Sequence, residues 1–151
     1  MDVRKIKKLY YDVKKCLGCR SCEIACALAH SQNRELIASV KAGTLALPRK
    51  KVCFAKGKSY PVSCRHCREP KCVDACMAAA ITFDAEKGLV VHDDTRCVGC
   101  WMCVMACPYG AIRPNLKAKL PVRCDMCPDE EEPACVKGCP TKAVIWQEEK
   151  R

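Results

Sequence analysis

Sixteen of the seventeen cysteines in this 151-residue chain fall into four groups of four, called quartets 1 to 4. They are Cys16, Cys19, Cys22 and Cys26; Cys64, Cys67, Cys72 and Cys76; Cys97, Cys100, Cys103 and Cys107; and Cys124, Cys127, Cys135 and Cys139. Quartets 1 and 3 read C-x2-C-x2-C-x3-C, the spacing with which bacterial proteins hold [4Fe-4S] clusters. Quartets 2 and 4 lengthen the middle interval. The pattern predicts four [4Fe-4S] clusters.

This spacing suits a compact cubic cluster because three cysteines from one short loop can bind three of its iron atoms. In two-cluster proteins of this kind the last cysteine of each run binds the other cluster of the pair. Each quartet is therefore expected to contact two clusters. Spacing alone leaves open which quartets are paired, and pairing between sequence neighbours is an alternative.

Two other uses of cysteine fit this pattern poorly. Structural zinc sites usually combine two Cys-x-x-Cys pairs across a longer segment, whereas here a third cysteine follows closely. Disulfides need an oxidising compartment, but residues 1–13 carry charges throughout and contain no apolar leader. We therefore expect cluster chemistry in a cytoplasmic protein.

The basic composition does not by itself indicate a nucleic-acid partner. The formal net charge is +10, but four oxidised clusters on thiolate ligands contribute about −8 and leave roughly +2. Local basic patches are expected in two stretches, Lys5 to Lys15 and Arg49 to Lys51. Each stretch is either a solvated face or a docking surface for an acidic partner. We expect no nucleic-acid partner.

The sequence offers no independent catalytic site and no membrane span. The longest uncharged stretch, residues 97–112, is too short to cross a bilayer. The glycines are scattered singly, so no phosphate-binding loop can be assembled, and no nucleophile is paired with a base. With only 5% aromatic residues, the clusters are expected to serve as cores. The iron-free chain should therefore be largely unfolded.

Internal repetition predicts the fold. The Cys-x-x-x-Cys end of each quartet should begin a short helix. The apolar pairs Ala80-Ile81, Ala111-Ile112 and Ala143-Val144 should lead into short strands. Hairpins are expected within residues 52–62 and 81–92. The predicted class is α+β with little regular secondary structure.

Residues 27–60 form the longest stretch without a quartet, and we expect a connecting insertion there. Cys53, the cysteine outside the quartets, is expected to be a small buried apolar residue beside Phe54. The histidines are expected on surfaces or in turns, and none is assigned as a ligand: His30, His66 and His92.

The order of the quartets, with the longer middle interval in the second and fourth, resembles the four-cluster iron–sulfur subunits of anaerobic oxidoreductases. That family includes subunits of formate dehydrogenases, dimethyl sulfoxide reductase, formate hydrogenlyase and carbon monoxide dehydrogenase. The resemblance covers residues 10–146. Residues 61–114, which contain the sequence Ser63-Cys64-Arg65-His66-Cys67, look closest to the carbon monoxide dehydrogenase-associated type.

The resemblance implies a nested pairing of the quartets in two pseudo-symmetric, two-cluster ferredoxin-like modules. Quartets 2 and 3 would form an inner module, residues 61–114. Quartets 1 and 4 would form an outer module, residues 1–60 and 115–151, with the insertion at 27–60. The implied ligands are Cys16, Cys19, Cys22 and Cys139 for cluster 1; Cys64, Cys67, Cys72 and Cys107 for cluster 2; Cys97, Cys100, Cys103 and Cys76 for cluster 3; and Cys124, Cys127, Cys135 and Cys26 for cluster 4.

The function implied by the resemblance is the relay of single electrons. The chain would connect a catalytic oxidoreductase subunit, with carbon monoxide dehydrogenase favoured, to a second redox protein. Formate dehydrogenase, hydrogenase and tungsten aldehyde oxidoreductase complexes are the alternatives, and a larger assembly is compatible with the sequence. A remote alternative from another class is a zinc-stapled nucleic-acid-binding module.

Overall fold

The computed structural model describes residues 6–148 of the chain. In chain order its elements are β1 (Lys7–Tyr11), α1 (Ser21–Ala29), α2 (Leu36–Lys41), β2 (Lys50–Ala55), β3 (Lys58–Ser63), α3 (Lys71–Asp74), β4 (Ile81–Asp84), β5 (Leu89–His92), α4 (Met102–Ala106), β6 (Arg113–Asn115), β7 (Leu120–Val122), α5 (Ala134–Lys137) and β8 (Val144–Glu148). Lys5 and the ends of the predicted outer module, 1–5 and 149–151, lie outside the described residues. Short elements joined by loops confirm the α+β class with little regular structure.

The strands of the described residues pair as four antiparallel two-stranded sheets. Three of the sheets are hairpins: β2–β3, β4–β5 and β6–β7. The hairpins predicted within residues 52–62 and 81–92 are confirmed. The fourth sheet, which the sequence pattern does not predict, pairs β1 with β8 and sets Leu9 opposite Trp146. It joins the two ends of the described chain.

Each quartet has a short helix at its Cys-x-x-x-Cys end, as predicted. Helix α1 of quartet 1 packs against α5 of quartet 4, and α3 of quartet 2 packs against α4 of quartet 3. The helices thus pack in the nested order. None of the helices within residues 6–148 has the length and apolar composition that a bilayer-spanning segment requires.

One hydrogen bond from the backbone to a cysteine sulfur recurs after three quartets. The N–H of Ala111 donates to Cys107 Sγ at 3.4 Å, and the equivalent bond after quartet 4 measures 3.2 Å. In both cases the donor follows the cysteine by four residues. After quartet 1 the N–H of Arg49 donates to Cys26 Sγ at 3.3 Å. The residues between Cys26 and Arg49 therefore form a loop. Arg49, at the end of this loop, makes the hydrogen bond that the fourth residue after the last cysteine makes in quartets 3 and 4.

The apolar core of the described residues is divided into three small groups, and each contains cysteines of two different quartets. The groups contain Cys72, Cys103, Ile81, Val90 and Ile112; Cys22, Cys135, Val52 and Val144; and Cys64, Cys124 and Met126. Because no large continuous core joins residues 6–148, the cysteine sites are the centres around which the elements pack.

Three expectations about burial are wrong, because burial depends on contacts distant in the sequence. His66 is fully buried, and its Nδ1 accepts a hydrogen bond from the Val90 N–H at 3.0 Å. Lys50, which belongs to a stretch expected on the surface as a solvated face or a docking site, is 2% exposed. Cys53 is half-buried rather than buried, and the neighbouring Phe54 is 74% exposed.

Candidate iron–sulfur sites

The cysteines of quartet 1 line a cavity together with a cysteine from the far end of the chain. Cys16 and Cys19 approach it from the loop before α1, and Cys22 from the first turn of that helix. Cys139, which follows α5, lines the same cavity. These four cysteines are the set that the resemblance implies for cluster 1.

A second cavity has the same arrangement in the middle of the chain. Cys64 and Cys67 line it from the loop after β3, and Cys72 lines it from α3. Cys107, the last cysteine of quartet 3, completes the group. These are the residues that the resemblance implies for cluster 2.

The cysteines of quartet 4 are buried next to the last cysteine of quartet 1. Cys124, Cys127, Cys135 and Cys26 are all less than one-tenth exposed. Burial raises the pKa of the Cys127 thiol to about 11, and the neighbouring Cys26 and Cys135 sulfurs act in the same direction. Cys26 also acts on the Cys124 and Cys135 thiols. The structure thus brings together the residues implied for cluster 4.

The first three cysteines of quartet 3 have the same order of exposure as those of quartet 1: half-buried, exposed and buried. Burial raises the pKa of the Cys103 thiol, and the nearby Cys97 and Cys100 sulfurs add to the increase. Cys76 packs against the same apolar group that contains Cys103. Cys100 is exposed, as is Cys19 at the equivalent position of quartet 1.

The buried thiols have an unfavourable environment for ionisation. Burial raises the pKa values of both Cys22 and Cys72 to about 11. Iron binds the thiolate form, so iron binding must drive the loss of these protons. Metal binding is therefore coupled to the packing of the cysteine loops.

Four buried side-chain nitrogens in the part of the chain that the structure describes have no hydrogen-bond partner within the protein. They are Lys50 Nζ, His66 Nε2, His92 Nε2 and Arg123 Nη1. A buried donor without an acceptor costs about 1–3 kcal/mol. The charge of Lys50 acts on the Cys22 thiol, and that of Arg123 acts on the Cys72 thiol. Cluster sulfides and thiolates accept hydrogen bonds, so these residues fit an iron–sulfur cluster as the bound group.

His66 is held as a neutral donor beside quartet 2. Burial, reinforced by the charges of Arg123 and Lys8, lowers the pKa of its imidazole to about 4. Because Nδ1 accepts the Val90 N–H, the ring proton lies on Nε2. His66 thus keeps a buried N–H without adding a charge.

A charged network fastens the insertion to quartet 4. Asp125 accepts a hydrogen bond from Arg49 Nη1 at 2.7 Å, and its carboxylate lies 3.2 Å from His30 Nε2. The other ring nitrogen of His30 lies 2.8 Å from the carbonyl oxygen of Cys26. Although burial opposes ionisation, His30 and Arg49 lower the pKa of Asp125 to about 2. The hydrogen bond that His30 donates to the Asp125 carboxylate raises the pKa of His30 to about 10.

This network also brings three potential metal-ligand atoms together. His30, Asp125 and Cys127 place one ligand atom each within 4.8 Å of the others. Protonated imidazole cannot bind a metal ion, and Arg49 already binds the Asp125 carboxylate. The arrangement is therefore explained as a structural ion-pair network.

The sequence profile of the family described as "4Fe-4S dicluster domain" matches residues 55–149, which include quartets 2, 3 and 4. This match covers more than half of the chain. The chain belongs to the 4Fe-4S dicluster family. As a dicluster protein it binds [4Fe-4S] clusters.

Named relatives of this dicluster protein include electron carriers. It is 41% identical over 150 residues to "Electron transport protein HydN" of Escherichia coli (strain K12), covering 89% of this chain and 83% of HydN. It is 35% identical to an "Iron-sulfur protein" of Rhodospirillum rubrum, covering 90% of this chain and 79% of that protein. It is 31% identical to "Formate hydrogenlyase subunit 2" of Escherichia coli (strain K12), covering 88% of this chain and 77% of that subunit. The chain is an electron carrier.

A solved structure shares the fold of this dicluster protein. The structure titled "Active site complex BamBC of Benzoyl Coenzyme A reductase in complex with Benzoyl-CoA" has a TM-score of 0.52. The likeness covers 95% of this chain and 80% of the other, at 22% sequence identity. At this identity the likeness extends to the fold alone.

Several residues around the cysteine sites escape sequence reasoning. Asp125 lies between Cys124 and Cys127 of quartet 4, and this position is a sequence signal that could have indicated a carboxylate beside the site. Arg49 and His30 lie outside the quartets, and their roles depend on the path of the insertion. Lys50 is hidden within a basic run that looks solvent-exposed in the sequence.

Proposed function

We propose that this chain is a four-cluster electron-relay subunit organised as two nested ferredoxin-like modules. The inner module is residues 61–114, and the outer module is residues 1–60 and 115–151. Residues 16, 19, 22 and 139 would hold one cluster, and the other three clusters would follow the ligand sets given above. A [4Fe-4S] cluster supplies reversible one-electron storage, and the protein supplies ligation, insulation and docking.

The observation that carries this proposal is the exchange of last cysteines between quartets distant in sequence. Cys139 lines the cavity of quartet 1, and Cys26 lies beside the cysteines of quartet 4. The same exchange brings Cys107 to the cavity of quartet 2. This pattern is the one that two-cluster proteins use, and here it occurs twice.

The exposure of the cysteines supports electron entry and exit at clusters 1 and 3. Cys19 and Cys100 are exposed, whereas no cysteine of quartet 2 or 4 is. Cys64 and Cys124 share one buried apolar group with Met126, so clusters 2 and 4 would be neighbours across the modules. The chain would therefore carry electrons along the order 3, 2, 4, 1, in either direction, with one electron accepted for each electron delivered.

The relatives favour a formate- or hydrogen-metabolising complex as the partner. One relative is named as a subunit of formate hydrogenlyase, and the names of the three relatives described above do not refer to carbon monoxide dehydrogenase. We therefore propose a formate dehydrogenase or hydrogenase catalytic subunit as electron donor or acceptor. This choice replaces the preference for carbon monoxide dehydrogenase, and a tungsten aldehyde oxidoreductase remains the less supported alternative.

Metal analysis of anaerobically purified protein tests the four-cluster proposal. The expected result is about 16 iron and 16 sulfide per chain, with visible absorbance that dithionite bleaches reversibly. Cys139→Ser should lower the cluster count, whereas Cys53→Ser, which alters the cysteine outside the quartets, should leave it unchanged. About eight iron per chain would contradict the proposal, and bound zinc without iron would support the zinc-stapled alternative.

Anaerobic co-purification from the native host tests the partner. The expected companion is a formate- or hydrogen-oxidising catalytic subunit, and mixing the two should allow formate or H₂ to bleach the clusters of this chain. Bleaching by CO with a carbon monoxide dehydrogenase, and not by formate or H₂, would overturn the partner assignment while leaving the relay function intact.

A further inference from the structure

Hairpins β2–β3 and β6–β7 are equivalent elements, and each links the two proposed modules. The sequence Pro61-Val62 lies two residues before Cys64, and Pro121-Val122 lies two residues before Cys124. In the first hairpin Lys51 pairs with Val62, and in the second Arg113 pairs with Val122. The residues immediately before these partners are therefore equivalent as well. They are Lys50 in the outer module and Ile112 in the inner module.

The N–H···S hydrogen bonds give the same correspondence independently. Arg49 donates to Cys26 Sγ, and Ala111 donates to Cys107 Sγ. Each donor immediately precedes the residue in question. The insertion after quartet 1 therefore ends by placing a lysine where the inner module has an isoleucine.

Both residues lie in the core between cysteines of two different quartets. Ile112 belongs to the apolar group with Cys72 and Cys103. Lys50 is 2% exposed, and its charge acts on the thiols of Cys22 and Cys135. Those two cysteines occupy the same quartet positions as Cys103 and Cys72. The outer module thus has a cation where the inner module has an aliphatic side chain.

The ammonium group of Lys50 is not neutralised by a carboxylate among the described residues that surround it. Its Nζ lies 5.1 Å from the centre of the Tyr11 ring and has no nitrogen or oxygen acceptor within hydrogen-bond distance. Although burial opposes its charge, Tyr11 and the sulfurs of Cys135 and Cys22 raise the pKa of Lys50. The Tyr11 hydroxyl is hydrogen-bonded to Ser63, which faces Lys50 across the hairpin. An uncompensated buried cation is costly unless an anion lies nearby. The outer module would supply that anion on two sides, as clusters 1 and 4.

We propose that Lys50 is a potential-setting residue that raises the reduction potentials of clusters 1 and 4 together. This inference rests on the four-cluster proposal. A fixed positive charge favours the form of a cluster with the extra electron, and in a dry environment that interaction is weakly screened. Because Ile112 carries no charge, the inner module lacks this contribution.

The cations near the other clusters define the expected pattern. Arg123 acts on the Cys64 and Cys72 thiols of the second quartet, so cluster 2 has a cation of its own. The largest contributions to the Cys103 pKa shift come from burial, backbone N–H groups and the Cys97 and Cys100 sulfurs rather than from a cationic side chain. Lys50 therefore biases electrons toward the outer module and away from cluster 3.

Redox titration of the iron-loaded protein by EPR tests the role of Lys50. In Lys50→Met, the equilibrium constants for reduction of two of the four clusters should fall about tenfold, a shift of about 59 mV for one electron. Lys50→Arg should keep potentials close to the original. The control is Lys51→Met, because Lys51 is exposed on the same strand, and it should change none.

The outcomes separate this inference from the relay function. Four clusters in the unsubstituted protein, with unchanged potentials in Lys50→Met, overturn the role of Lys50 and leave the relay intact. A uniform shift of all four potentials also contradicts a charge placed between two of them. Fewer than four clusters in the unsubstituted protein contradict the relay proposal itself.

If Lys50→Met fails to assemble four clusters, the unsubstituted protein can still be used to test whether Lys50 Nζ lies beside a cluster. With ¹⁵N-labelled lysine, pulsed EPR of the reduced protein should detect a ¹⁵N coupling from Nζ. The coupling should persist in Lys51→Met and disappear in Lys50→Arg. Its absence from the unsubstituted protein overturns the proposal.

Discussion

In the proposed inner module β4 and β5 form a hairpin across a short turn, whereas the equivalent strands of the proposed outer module, β1 and β8, come from opposite ends of the described chain. The backbone bonds at their ends match: Asp12 N–H donates to Ala143 O, and Asp93 N–H donates to Ala80 O, each at 2.8 Å. The same local geometry is therefore built once by a local contact and once by a distant one.

This difference implies that the clusters contribute unequally to the stability of the two proposed modules. Closing the chain between β1 and β8 costs about 3 kcal/mol more entropy than closing a short hairpin. The outer module compensates with the α1–α5 contact and the network around Asp125. We expect the outer module to depend more on its clusters than the inner module does.

Removal of iron should have the largest effect. Chelation under anaerobic, reducing conditions should abolish cooperative unfolding of both modules, because the thiol groups and buried donors lose the group that they surround. During gradual oxidative loss of clusters, amides of β1 and β8 should exchange before those of β4 and β5. Hydrogen exchange read by mass spectrometry measures both. Iron-free protein with protected amides in β1 and β8 would contradict this expectation.

Alanine substitution of the equivalent glycines in quartets 1 and 3 should give the next largest difference in stability between the two proposed modules. Gly18 and Gly99 have φ of 71° and 69°, so alanine is strained at either position. A Cβ at Gly99 would lie 2.5 Å from the backbone oxygen of Lys119, whereas at Gly18 it would meet the side-chain oxygen of Ser59. Gly99→Ala should cost about 3 kcal/mol and Gly18→Ala about 1–2 kcal/mol.

Denaturant midpoints of the iron-loaded variants, followed by cluster absorbance, measure this difference. Ser59→Gly should relieve part of the cost of Gly18→Ala, since it removes the atom that the new methyl group meets. Equal losses for the two alanine variants, with no relief by Ser59→Gly, would mean that backbone strain dominates at both positions.

The cysteine spacing predicts the local half of this architecture well. The helices at the quartets and the β4–β5 hairpin follow from patterns within about 15 residues. The β1–β8 pairing does not, because Lys7 to Tyr11 reads as a charged stretch and its partner lies at the other end of the chain. Likewise, the burial of Lys50 and His66 depends on the positions of distant elements. The cysteine ligands and the short elements that carry them can be predicted from local sequence. The burial of the residues around them depends on contacts between distant parts of the chain.

His66 and Met126 occupy equivalent positions in quartets 2 and 4, and both are buried. Their roles differ because His66 accepts the Val90 N–H. His66→Met should cost about 2 kcal/mol, since it leaves that buried donor without an acceptor. Met126→Leu is the control and should cost less than about 1.5 kcal/mol. Denaturant midpoints compare the two, and faster exchange of the Val90 amide in His66→Met alone would locate the effect. Equal midpoints would show that the hydrogen bond contributes little.

The Asp125 network should give the smallest effect, and it tests whether the insertion is fastened to the outer module. Asp125→Ala removes the partners of Arg49 and His30, at a cost of about 1 kcal/mol because the carboxylate is one-third exposed. In the inner module Asp74 makes an ion pair of 3.7 Å with Lys71 on the surface, so Asp74→Ala should cost less than about 0.5 kcal/mol.

Hydrogen exchange shows whether the Asp125 network holds the insertion in place or whether Asp125→Ala only removes a charge. Amides of residues 30–49 should exchange faster in Asp125→Ala, whereas Asp74→Ala should leave them unchanged. Asp125→Asn should restore part of the protection, because its side-chain oxygen can still accept a hydrogen bond from Arg49. If the insertion stays equally protected in Asp125→Ala, the N–H···S bond from Arg49 to Cys26 is sufficient to hold it. The insertion would then depend on the backbone geometry that it shares with the inner module, and the charges would be secondary.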